Sequence, residues 1–91
     1  SILFTDQVQE QIEAMKALYG RGLRLHLHPY IFAYVSKGIW SIKKQWRIKY
    51  GVHTIENQSL GMLQTQFYNR KGEALTIPAT DEENKASEKQ N

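Results

Sequence analysis

His26 and His28 stand two apart in the run Leu25-His26-Leu27-His28, and on a strand that spacing points both rings the same way, as a bidentate metal site requires. His53 is the only further histidine, cysteine is absent, and no Asp or Glu is close in sequence, so the donor set falls short of a metal centre. Ser36, Ser41 and Ser59 lack the strand-turn-helix glycines that expose a nucleophile. The glycines are scattered as single stops, with no phosphate-cradling loop, and no carboxylates are paired for acid and base work. Read for chemistry, the chain predicts no catalytic residue, no metal, no cofactor and no small-molecule substrate.

The cations are more informative. Residues 21–72 hold nine bases (Arg21, Arg24, Lys37, Lys43, Lys44, Arg47, Lys49, Arg70, Lys71) against Glu56 alone, a local excess of +8 within a chain of net charge +3. Such asymmetry points to a polyanionic partner and is silent on fold. Lys43, Lys44, Arg47 and Trp40 fall in one sector of about 100° on a helix expected over 39–50. These four are the candidate RNA contacts, cations for phosphates and an indole for a base. The plainer reading, an ordinary solvated face whose lysine stems cover apolar surface, stays open. Trp40 and Ile48 lie off the core stripe of that helix. For Ile48 we expect burial within the chain; Trp40 is either covered in the same way or a subunit-interface anchor.

These side chains need elements to hold them. The opening Ile2-Leu3-Phe4 reads as the end of a linker, 1–5, followed by a helix capped at Thr5 or Asp6, with Val8, Ile12, Met15 and Tyr19 on one face and Leu18 beside them. Leu23, Leu25 and Leu27 alternate with Arg24, His26 and His28 as a half-buried strand does. Pro29 opens a second helix that Gly38 stops, and Ile39, Ile42, Trp46 and Tyr50 form the stripe of a third, capped by Gly51. Val52–Glu56 and Met62–Tyr68 read as strands. In the latter, Leu63, Thr65 and Phe67 share one face and Gln64, Gln66 and Tyr68 the other. Leu75 and Ile77 supply an edge strand closed by Pro78.

Residues 79–91 carry no large apolar side chain and are expected to be a disordered tail. The order helix-strand-helix-helix-strand-strand predicts an α+β domain over 1–78: a small mixed or antiparallel sheet of three to four strands with helices packed on one face. No apolar run approaches the length of a membrane span, and the N-terminus lacks a signal-peptide layout, so a cytoplasmic location is expected.

The block LHLHPYIFAYVSKGIWSIKKQWRIKYGVHTIENQSLGMLQTQFYNRKGE resembles the C-terminal small domain of the ribonuclease E/G family. LHLHPYIFAYV, the spacing of Gly38, Ser41, Trp46 and Tyr50-Gly51, ENQSL and QFYNRKGE carry the resemblance. SILFTDQ is similar to the sequence that follows the zinc-link in bacterial members. The resemblance spans residues 1 to about 78 and implies a non-catalytic assembly domain of an RNA-processing endoribonuclease. In that family the small domain organises a homo-oligomer by packing dimer against dimer. Catalytic magnesium and the linking zinc of such an enzyme would lie outside this chain, which on its own is expected to cleave no RNA. An accessory RNA-binding role through the basic face of helix 39–50 is the alternative.

Overall fold

Thr5, Val8, Ile12 and Met15 recur at helical spacing on the buried face of α1, Ile2–Tyr19, in the computed structural model, which describes residues 2–78. The helix begins before the expected linker ends, so Thr5 is a buried helical residue rather than a cap. The apolar Leu3 and Phe4 extend the helical repeat towards the N-terminus, and a good cap later in the chain does not prevent helix from starting sooner. Tyr19, at the far end of the stripe, is half exposed because the helix has run past the core by that point. The tail expected over 79–91 lies outside the described residues.

Strand β1, Arg24–Leu27, follows with Leu25 and Leu27 fully buried. It stops one residue before His28, whose backbone turns to become the N-cap of α2, Pro29–Val35. Its Nδ1 accepts the Tyr30 N–H at 3.0 Å, a task that Pro29 leaves open by having no N–H to offer. α2 closes at Ser36, whose Oγ donates to the Phe32 carbonyl at 2.6 Å, two residues before the expected stop at Gly38.

The third helix, α3, is Ile42–Tyr50, shorter than the stripe predicted. Ser41 caps it, its Oγ accepting the Lys44 N–H at 3.2 Å, and that cap excludes Ile39 and Trp40 from the helix. Ile39, expected in the core, is 92% exposed. Trp46 and Tyr50 carry the stripe alone, with Ile42 packed at its margin. Both make a polar contact with α1: Trp46 Nε1 donates to Gln9 Oε1 at 3.4 Å and Tyr50 Oη to Glu13 Oε1 at 3.0 Å. Ile48 is 61% exposed, against the expectation of burial within the chain, because no element among the described residues packs on its side of α3.

β2, His53–Glu56, β3, Thr65–Tyr68, and β4, Ala74–Leu75, complete a four-stranded mixed sheet in the order β2-β1-β3-β4. β1 runs parallel to β2, which requires the long crossover that α2 and α3 supply, and antiparallel to β3. β3 is shorter than expected. Met62 and Leu63 are exposed in the turn that precedes it, where Gln64 Oε1 accepts the Gly61 N–H. Leu25, Leu27 and Phe67 join the buried residues of all three helices in one cluster, which puts the helices on one face of an α+β domain, as the element order predicts. Among the described residues, Thr54 Oγ1 is a buried hydroxyl oxygen without a partner on that same face of the sheet.

Candidate functional site

The segment between α2 and α3 turns at Gly38, whose φ of 88° is open to glycine and strained for other residues. It then presents Ile39 and Trp40, 92% and 61% exposed. Their backbone is held from the first turn of α3: Lys44 Nζ donates to the Ile39 carbonyl at 2.8 Å and Gln45 Nε2 to that of Trp40 at 3.3 Å. Two large apolar side chains thus stand in water on a braced turn, with Ile48 exposed further along the adjoining helix. Single exposed apolar residues are ordinary, whereas an adjacent Ile-Trp pair on a fixed backbone has the form of an interface anchor.

The four candidate RNA contacts divide between two elements, the cations Lys43, Lys44 and Arg47 on α3 and the indole of Trp40 on the segment before it. Lys43 is half-buried, its ammonium 4.9 Å from the centre of the Phe32 ring, and Lys44 is turned back onto Ile39. Arg47 remains exposed. Periodicity places side chains by angle alone and carries no information on which neighbour each will reach.

The histidines separate as well. His28 is occupied at the α2 cap and His53 is exposed on β2, while His26 lies on the face of the sheet away from the helices. No three of His, Asp or Glu gather at metal-ligating distance among the described residues. Glu13 receives the Tyr50 hydroxyl and Glu73 the Asn69 amide.

Burial holds the His26 imidazole below its ordinary value of 6.5. The Asn57 amide donates to its Nδ1 at 3.0 Å, which places the ring proton on Nε2 and makes the neutral form the one that fits. As pH falls below 6.5 the unfolded chain takes up this proton first, so stability is full above that pH and declines as pH falls through the folded value. Urea midpoints measured across this window should decline less in His26→Gln than in the wild type. Equal declines would remove His26 as the cause.

One feature of the site is absent from any motif. Arg70 and Lys71, in the turn between β3 and β4, meet Arg21 and Tyr19 around an open cleft of about 410 Å³. The signal was the basic turn Arg70-Lys71, but its distance in sequence from Arg21 hid the grouping.

No family model matches this chain, and no curated protein or solved structure matches it. The fold and surface define a small α+β domain with a braced apolar turn and a basic corner. Among the described residues no helix is long and apolar enough to cross a membrane.

Proposed function

We propose that this chain is a non-catalytic assembly domain, of the kind that packs dimer against dimer in RNA-processing endoribonucleases of the ribonuclease E/G type. The observation that supports it most is the Ile39-Trp40 pair, exposed on a turn whose carbonyls are fixed by Lys44 and Gln45. A pre-ordered anchor loses little entropy on association, and Trp is among the side chains that carry most binding energy at interfaces. The homo-oligomer and a parent enzyme with magnesium and zinc elsewhere follow from the resemblance, and a cytoplasmic location accords with them. The alternative, RNA on the basic face of 39–50, draws less support because Lys43 and Lys44 are engaged within the chain.

Sedimentation equilibrium up to millimolar concentration tests the reading. Wild-type chain should self-associate, and Ile39→Asp with Trp40→Asp should remove that association while circular dichroism stays the same, since both side chains are outside the core. A wild type that remains monomeric throughout, or a double variant that associates equally well, overturns it.

A further inference from the structure

The helices cover one face of the sheet, and strand pairing sets what the other presents. His53, Arg24, Tyr68 and Ala74 lie side by side in one row across the four strands, with Ile55, His26 and Gln66 in the next. His53 and Ala74 are exposed and the others half-buried. At the centre the Tyr68 and His26 rings lie 4.4 Å apart, centroid to centroid, tilted by 48°. Asn57 fixes the imidazole from one side, so the aromatic pair is already ordered.

Cations border this pair. Arg24 stands directly across from Tyr68, and its Nη1 donates at 3.2 Å to the carbonyl of Asn69, which opens the turn bearing Arg70 and Lys71. The Arg70 guanidinium lies over Gly22, in space that any side chain at that position would occupy. Arg21 stands at the rim of the same cleft. The acid in this corner is Glu73, whose carboxylate accepts the Asn69 amide at 3.1 Å. On the open face itself Ile55 is, among the described strand residues, the single large aliphatic side chain, too little for an apolar protein partner.

We propose that this open face binds single-stranded nucleic acid, one base stacking on Tyr68 beside His26 while Arg70 and Lys71 take the flanking phosphates. Ordered aromatic faces with bordering cations are what an unpaired strand requires, since every base has a π-face and every nucleotide a charge. A duplex keeps its base faces stacked on one another and offers Tyr68 nothing to stack on. The site shares no side chain with the Ile39-Trp40 turn, so the two readings fail or stand separately.

Fluorescence anisotropy of a short 5′-fluorescein oligoadenylate with the whole chain provides the test. Wild type should bind in a salt-sensitive manner. Arg70→Ala with Lys71→Ala, both on exposed positions, should lower the slope of log affinity against log salt by about 1.4, two contacts at about 0.7 each. Tyr68→Ala should weaken binding about tenfold or more, as expected for the loss of one stacked base, and Tyr68→Phe should restore it because the ring is kept. The same sequence as a duplex should compete poorly. No binding at low salt overturns the proposal, as does a duplex that competes equally. So does an unchanged Arg70/Lys71 variant alongside a Lys43/Lys44/Arg47→Ala variant that loses binding, which would move the contact to α3.

Discussion

Trp46→Ala is expected to destabilise the domain by about 3–5 kcal/mol, the range for deleting a large aromatic from a packed core. Trp46 is 1% exposed and joins α3 to α1, with Val8, Ile12 and Met15 in the same cluster. Removing the indole leaves a cavity between two helices and takes the hydrogen-bond donor from Gln9. For a chain of 91 residues whose total stability is roughly 0.05–0.15 kcal/mol per residue, this is about a fifth of the whole or more. Urea unfolding followed by far-ultraviolet circular dichroism should show the midpoint collapse. Trp46→Phe, which keeps most of the volume and loses the N–H, should cost about 1–2 kcal/mol. A midpoint for Trp46→Ala equal to that of wild type would mean that α3 does not dock on α1 through this residue.

Gly51→Ala is expected to cost at least about 2 kcal/mol. Gly51 closes α3 with φ of 68°, and a left-handed conformation alone disfavours a residue with a Cβ by about 1–2 kcal/mol. The new methyl would also stand 2.8 Å from the Cβ of Arg21, close to the backbone and unable to swing aside. Arg21 would then be pushed off the end of α3, where its guanidinium donates to the carbonyls of Lys49, Ile48 and Arg47 at 3.2, 3.1 and 3.4 Å. The Lys49 and Ile48 carbonyls have no partner within the helix, that of Arg47 already accepts the Gly51 N–H at 2.9 Å, and a cation there also answers the negative end of the helix dipole. Arg21→Ala isolates the second part: it should lose the cap and keep the turn, so its cost should be the smaller of the two. Equal urea midpoints for Gly51→Ala and wild type would show that the turn adapts without strain.

The elements that depend on neighbours within a turn or two were legible in the sequence. Pro29 and Gly51 mark helix ends by their own backbone limits, and the alternation of Leu23, Leu25 and Leu27 selects a strand with one buried face, because side chains on a strand alternate sides whatever the fold. The same alternation put Gln66 and Tyr68 opposite Phe67. Where a local rule had a local competitor, the reading slipped. Ser41 stops α3 short of Ile39, and the apolar start of α1 outruns the cap at Thr5 or Asp6.

The candidate sites required contacts that span the chain. Periodicity placed Ile39 in the core stripe and Ile48 beside it, and only the docking of α3 on α1 through Trp46 and Tyr50 decided that both face outward. Lys43 and Lys44 share α3 with Arg47, and only the tertiary structure sets the first over the Phe32 ring and the second on the Ile39 carbonyl. Tyr68 and His26 become neighbours only because β1 sits between β2 and β3, a strand order chosen by the packing of Leu25, Leu27 and Phe67 under the helices. The sequence by itself determined the elements and the face each strand would bury, since torsional limits and hydrogen bonds of a few residues set both. The tertiary structure decided which leftover side chains meet on the surface, because burying one shared core fixes every strand register and helix rotation at once.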